Sequence, residues 1–394
     1  MRILFVADGR SPIALNWIAY FVENGHEVHL TSTFACRTGL PFASVTTVPV
    51  AFSTLKSQPA STLSKPHKRG GLGGVPLVRF RTTIRQWLGP LTIPGAARQL
   101  KTIIDKIQPD IVHAMRIPFE GMLAARAYRE HKLAPLIISV WGNDFTLHAR
   151  ANPWMRRLTR ESLQHADGLH ADCQRDLRLA QQFGFSGEKP AVVLPGNGGV
   201  QTEIFCLPGD LESRREDLVI NPRGVRAYVR NDTFFRAVPI VLAQKPDIRF
   251  VCPAMESENE AIRWLDELKI WQAVDLLPNL SRPEMAELFR KAQVSVSPAT
   301  HDGTPNTLLE AMACGSFPVA GNLESIREWI TPGVNGLLVD LSDPTELAQA
   351  ILTAMDQPDL RSMAAQINRK LVQERAEYRV VMEEALQFYR SVIK

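Results

Sequence analysis

The sequence predicts an α/β protein made of two successive domains, each on a parallel sheet. Three observations carry this. The chain has 394 residues, more than one ordinary hydrophobic core organises. Short continuous apolar runs alternate with amphipathic segments in both halves, the pattern of strands covered on both faces. Between Cys206 and Leu218 the alternation stops in the polar stretch "LPGDLESRRED" and then restarts. The expected division is 1–205 and 206–375, with a final helix at about 376–394 packed back on the first domain. Ligands of such a protein are expected in a cleft between its domains.

The elements follow in order. "RILFVA" reads as a buried parallel strand. In "SPIALNWIAYFVENGHEV", Ser11 caps a helix, Pro12 fits its first turn, Ile13, Trp17, Ile18, Phe21 and Val22 form the apolar stripe, and Gly25 ends it. "EVHLTS" is the next strand. Residues 53–95 are rich in Ser, Pro, Gly and Lys, as in a long functional loop, with "RTTIRQWLG" a short amphipathic helix inside it. A helix at 95–107, the strand "DIVHAM", a helix at 119–131 and the strands "LIISVWG", "ADGLHAD" and "AVVLPG" complete the first half. The second half reads as strand "LVINPRG", helix 231–244, strand "IRFVCPA", helix 257–269, strand "AVDLLP", helix 282–292, strand "VSVSPA", helix 305–314, strands "FPVAG" and "GLLVD", a capped helix at "DPTELAQAI", and the terminal helix.

Composition narrows the class. With 45% hydrophobic and 22% charged residues the chain reads as soluble and globular. No apolar run approaches the roughly 20 residues that cross a bilayer. The opening "MRILFVADG" runs straight into Asp8 and Gly9 without a small-residue cleavage site, so it is expected to be a strand rather than a signal peptide. The five cysteines are odd in number and scattered, which fits a reducing cytoplasm better than a disulfide framework or a zinc site.

Charge is uneven. From Val28 to Ile104 there is no Asp or Glu, while ten Lys and Arg residues fall in that stretch. Either this is a solvated basic lobe, or the region 56–101 meets an anionic membrane or acceptor, which gives a peripheral position at the inner membrane face. Few aromatic residues and no nucleic-acid motif argue against nucleic acid.

The chemistry concentrates in "VSVSPATHDGTPNTLLEAMACG". A strand delivers its C-terminal end to a loop, where open α/β sheets bind ligands. Gly303 allows close backbone approach, Thr304 is placed to cap, Pro305 suits the first helical position, and Asn306 and Thr307 offer free N–H groups to an anion. Glu310 shares a helix face with Asn306 and Thr307, where it can take ribose hydroxyls. Asp302, just ahead of the helix, can face a sugar. The alternative is an ordinary capped helix with two solvated acids.

An acid, seven residues, then the Glu of "LLEAMACG", followed by an apolar strand and "NGLLV", resembles the retaining glycosyltransferases of family 4. The likeness is most specific over about 278–350 and extends loosely over the chain through "PDIVHA", "SVWGNDF", "LPGNGGVQTEIF" and "NPRGVRAYVRNDTFFRA". It implies the GT-B fold, two Rossmann-like domains facing a central cleft, with the donor held mainly by the second. The family's acid pair falls on Asp302, shorter than the usual Glu, and on Glu310. Its diphosphate-binding Arg falls on Arg223. No Lys stands at its second cationic position, where Arg226 and Arg230 are candidates, Arg230 favoured by spacing, or else plain surface arginines. Leu280 is expected among the donor-binding residues. Many members carry a His after the fourth strand, and here Trp141 stands there. Asp144 is then the nearest ionisable group, either an acid–base residue for an acceptor hydroxyl or a turn cap. Asn143 in the same turn, His113 at a strand end, and Gly9, Arg10 and Ser11 after the first strand are expected at the cleft, His113 alternatively as a structural residue.

The resemblance implies transfer with retention from a nucleotide-diphosphate sugar, UDP or GDP type, to a glycan, lipid-linked or other hydroxyl acceptor. With no D-x-D in the sequence, no metal and no further cofactor is expected, arginines and a helix N-terminus serving instead. The alternatives are a non-catalytic nucleotide-sugar-binding partner of another transferase and a GT-B epimerase.

Overall fold

The computed structural model describes residues 1–53, 83–128, 134–207 and 215–394. The chain forms two compact units, Met1–Gly198 with Met382–Lys394, and Gly199–Val381. Residues 199–205 join the second unit because Val200 pairs with Glu377 and Phe205 packs beside Phe289.

Unit 1 holds seven parallel strands: β1 (Arg2–Ala7), β2 (Glu27–Ser32), β3 (Ser44–Thr47), β4 (Ile111–Ala114), β5 (Leu136–Val140), β6 (Gly168–Ala171) and β7 (Ala191–Val193), in the order β3-β2-β1-β4-β5-β6-β7. The strand order turns about β1, with β2 on one side and β4 on the other. At such a switch point the loops after the two central strands diverge and leave a crevice. The helix Pro12–Glu23 is capped by Ser11, whose Oγ accepts from the Ala14 N–H at 3.4 Å. Its stripe buries Trp17, Ile18 and Phe21 completely. Burying each such side chain contributes on the order of 2 kcal/mol. Gly25, just past the helix, has φ +75°.

Unit 2 repeats the plan with six parallel strands: β8 (Glu216–Ile220), β9 (Arg249–Cys252), β10 (Val274–Leu276), β11 (Ala292–Ser297), β12 (Phe317–Gly321) and β13 (Leu337–Val339), in the order β10-β9-β8-β11-β12-β13. Its switch point lies between β8 and β11. The expected α/β class with two parallel sheets is what the structure has.

Three helices escaped the sequence reading, Pro153–His165, Gln174–Gln182 and Pro358–Arg375. Their faces are mostly polar, so the apolar stripe is thin. The helix expected at 119–131 begins only at Met122, because residues 117–121 form a wide turn in which Phe119 has φ +72°. Residues 83–88 of "RTTIRQWLG" are helical; most of the basic loop, 54–82, lies outside the described residues. No helix among the described residues is long and apolar enough to cross a membrane.

Residues 382–394 of the last helix belong to unit 1. Gly168 on β6 admits them, since a Cβ there would lie 2.7 Å from Val392. Tyr389 of this helix enters a buried polar chain. The Trp17 indole N–H donates to the Tyr389 hydroxyl at 3.1 Å, and that hydroxyl donates to His113 Nδ1. His113 Nε2 donates to Ser139 Oγ at 2.7 Å, Ser139 donates to His170 Nδ1 at 2.8 Å, and His170 Nε2 donates to the Leu194 carbonyl at 2.9 Å. The terminal donor and the terminal acceptor fix this direction and make both imidazoles neutral.

Candidate active site

In unit 2 the loops after β8 and β11 meet at the switch point. Buried Asn221 follows β8; its Oδ1 accepts from the Arg223 N–H at 3.2 Å and its amide donates to Asn231 at 2.9 Å. Asn231 in turn donates to the Gly224 carbonyl at 2.8 Å. This pair fixes the turn that carries Arg223. The segment 228–230 zips onto the end of β11, with Arg230 N donating to Pro298 O at 2.7 Å and Thr300 N to Tyr228 O at 2.9 Å.

Arg223 reaches across the switch point. Its Nη2 meets Asp302 Oδ2 at 2.5 Å and its Nη1 donates to Thr307 Oγ1 at 3.1 Å, while Nε is buried with no hydrogen-bond partner. Asp302 also accepts from the Gly303 N–H at 3.2 Å, and Ser325 Oγ donates to its carbonyl at 2.8 Å. The helix Asn306–Ala313 opens here with no side-chain cap. This corrects the expected capping: Pro305 itself occupies the cap position with extended backbone, and the Thr304 hydroxyl is turned inward, accepting from Trp329 Nε1 at 3.1 Å. An uncapped helix start is a better anion seat than a capped one, since its first N–H groups are unspent.

Glu310 stands one turn along the helix and is largely buried. Burial pushes its carboxyl up to about 7 against the pull of Arg282, 3.9 Å away. Of the other expected donor residues, Arg230 forms a two-pronged pair with Asp232 at 2.8 and 2.9 Å, Arg226 donates to the Tyr228 hydroxyl at 3.1 Å, and Leu280 is half-buried just ahead of the helix Arg282–Lys291. Arg282 is absent from the sequence reading; its place at the first position of a helix was the available signal.

In unit 1 the expected cleft residues divide. Arg10 binds Asp8 through Nε and Nη2 at 3.0 and 2.9 Å and lies 3.5 Å over the Phe34 ring. Gly9 is closely packed: a Cβ there would fall 2.4 Å from Cys36 Sγ. His113 is fully buried in the polar chain and does not face a cleft. Asp144 is likewise turned inward. It accepts from Arg116 at 2.8 Å, from Trp141 N–H at 3.1 Å and from Ile117 N–H at 3.2 Å, so it fixes the 141–144 turn, which is the turn-cap alternative. Burial raises its carboxyl above the usual range against the pull of Arg116. Asn143 accepts from Arg116 at 3.0 Å. The Trp141 ring lies against Arg116 and covers Gly196, and its buried Nε1 has no partner.

Behind this turn, Gly142 N–H donates to Asp172 at 3.2 Å and Arg175 donates to Gly142 O at 2.8 Å. Asp172, Cys173 and Asp176 form a buried group close enough to share a cation, and the Arg175–Asp176 ion pair at 2.8 Å already supplies positive charge there.

The same two-sheet plan occurs in solved structures. Sucrose-phosphate synthase from Thermosynechococcus elongatus superposes with a TM-score of 0.76 at 15% identity over 100% of this chain and 99% of that one. Anabaena HepE in complex with UDP gives 0.72 at 16% identity over 99% and 100%. Two Rossmann-like domains of this kind are the GT-B fold. Residues 213–371 match the model of glycosyl transferases group 1, and residues 9–196 match the glycosyl transferase 4-like domain. The chain belongs to the glycosyltransferases defined by this pair of domains. Among curated relatives, a D-inositol 3-phosphate glycosyltransferase of Thermobispora bispora is 31% identical over 53% of this chain and 53% of its own length. A putative glycosyltransferase, EpsD of Bacillus subtilis, is 26% identical over 73% and 78%. The chain thus spans about half the length of the first D-inositol 3-phosphate glycosyltransferases it matches.

Proposed function

We propose that the protein is a retaining glycosyltransferase that uses a nucleotide-diphosphate sugar and needs no metal or further cofactor. The observation that carries this is the meeting of Arg223, Asp302 and Thr307 at an uncapped helix N-terminus, with Glu310 one turn along. The diphosphate sits on the first N–H groups of the helix and on Arg223, whose pairing with Asp302 loosens as the donor arrives. Arg230 gives further charge by turning from Asp232. Glu310 as carboxylate accepts from the ribose hydroxyls, and Leu280 lies along the base.

In the transfer the bond from the anomeric carbon to the diphosphate oxygen breaks, and the acceptor oxygen bonds to the same face. The released phosphate oxygen takes the acceptor's proton, so charge and protons balance without a protein base. Asp302 holds sugar hydroxyls and offsets positive charge at the anomeric carbon. Asp144, buried and fully bonded, contributes by fixing the turn at Trp141. HepE carries UDP in its structure, which makes a uridine donor the first to test. Release of free nucleoside diphosphate with candidate acceptors is the direct assay. Asp302→Ala and Glu310→Ala are expected to lower turnover about 100-fold or more. Variants that keep full turnover would place the site elsewhere.

The acceptor side is read as working at an anionic membrane. Ile84, Trp87, Leu88 and Leu91, at 38, 54, 47 and 62% exposure, lie along one face of the described helical segment from residue 83, in a stretch without acids. The opposite face is anchored. Gln86 bonds His148 Nδ1 at 3.1 Å, and its carbonyl accepts from Asn152 at 3.1 Å. Lys56, Lys65, Lys68, Arg69, Arg79 and Arg81 of the basic region lie outside the described residues.

A further inference from the structure

Arg85 is a cation that touches no carboxylate among the described residues. It projects from the anchored side of the 83–88 helix, with its guanidinium carbon 4.5 Å from the centre of the Phe119 ring and 5.3 Å from that of Phe34. Its Nε is buried and has no hydrogen-bond partner. Among the described residues no carboxylate lies within ion-pair distance of it. The carboxylates that act on it from a distance are Glu120, which accepts from Thr33 Oγ1 at 2.7 Å and also faces Arg116, and Asp8, which takes both prongs of Arg10. Arg10 lies over the same Phe34 ring at 3.5 Å.

A guanidinium whose Nε is buried beside aromatic rings without an acceptor carries a desolvation cost that an anionic ligand would offset. The ring faces stabilise the cation and hold its plane, while the N–H groups remain to be used. The place is also the right one. Arg10 follows β1, Phe34 follows β2 and Phe119 follows β4, so the platform stands at the C-terminal ends of the strands around the switch point of unit 1. Phe119 holds φ +72° and Arg116 φ +106°, a backbone kept in an uncommon conformation beside it.

We propose that Arg85, with Phe34, Phe119 and Arg10, binds an oxyanion carried by the acceptor, so that the acceptor is a phosphorylated or carboxylated sugar rather than a neutral one. This rests on unit 1 being the acceptor domain of the transferase proposed here.

The test is calorimetric titration of the full chain with glucose 6-phosphate, glucuronate, glucose and inorganic phosphate. At least one of the two charged sugars is expected to bind, with glucose at least tenfold weaker; which one binds names the anion. Arg85→Gln is expected to weaken that binding at least tenfold, and Arg85→Lys less. If Arg85→Gln unfolds the chain, Phe34→Leu is read in its place with the same expectation. Glucose binding as well as both charged sugars, or loss-free binding by the variant, overturns the proposal. So does inorganic phosphate binding as tightly as the sugar phosphate, which would make this a free-ion site. Stabilisation by a nucleotide sugar, expected to survive Arg85→Gln and to vanish in Glu310→Ala, is measured alongside. Failure of the donor reading and failure of the anion site are thereby told apart.

Discussion

Glu310 has an environment unlike an ordinary surface acid. Its carboxyl is pushed up to about 7 by burial, so the protonated and ionised forms are both present near neutrality. Only the ionised form offers both oxygens as acceptors to a pair of hydroxyls. Donor affinity should therefore rise as pH increases from 6 to 8, and Glu310→Gln should flatten that dependence. Isothermal titration of the donor nucleotide across this range checks it; a flat wild-type profile would remove Glu310 from the ribose. Arg223 is the second residue with a sharp expectation. Arg223→Lys keeps one charge and loses the fork that spans Asp302 and Thr307, so turnover should fall at least tenfold with the fold intact. Near-normal turnover in that variant would contradict its assigned role.

Among the elements, the β11-to-helix connection was the most readable. Its apolar strand, acid, glycine and Thr-Pro sequence placed a loop and a helix start where the structure has them. What the residues did not disclose was the cap, because Trp329, 25 positions away, decides where the Thr304 hydroxyl points. For His113 and Asp144 the residues left a cleft role and a structural role both open, for the same reason. A strand end and a turn were legible, but Tyr389 and Ser139 around His113, and Arg116 and Ile117 around Asp144, are brought in by tertiary packing. Helices such as Gln174–Gln182 were hidden because their buried faces include Arg175 and Asp176, which read as solvent-facing. The exposed stripe of Ile84, Trp87, Leu88 and Leu91 yields an element-scale prediction. The chain should sediment with vesicles of anionic phospholipid and much less with zwitterionic ones. Trp87→Ser with Leu91→Ser should release it without lowering thermal stability. Retained binding in that double variant would point to the basic region alone.

At the scale of the whole molecule, the two parallel sheets and the restart of the pattern near residue 206 were legible because each sheet is covered on both faces and its strands are nearly pure apolar runs. The return of the last helix to unit 1 shows in how Tyr389 closes the chain from Trp17 to Leu194. That chain makes unit 1 sensitive to acid. Burial holds His113 well below its usual range, with the facing His170 adding to the effect, and holds His170 at about 4. Below about 6.5 the unfolded chain takes up protons that the folded unit refuses. Stability should therefore fall from about pH 6.5 toward 4, by up to about 1.4 kcal/mol per pH unit for each ring. Buried Glu120, Asp144 and Asp172, whose carboxyls burial raises, act in the opposite sense. Urea unfolding followed by tryptophan fluorescence between pH 7.5 and 5 is therefore compared with His170→Gln. The wild type should lose more stability than the variant, and equal losses would mean the rings are solvated.

The central claim is that unit 2 seats a nucleotide-diphosphate sugar on Arg223, the helix at Asn306 and Glu310. A thermal-shift panel of UDP- and GDP-sugars on the full chain tests it most directly. One nucleotide series should raise the melting temperature by several degrees at saturation, and the rise should disappear in Glu310→Ala. No stabilisation by any member, or equal stabilisation of wild type and Glu310→Ala, would contradict it.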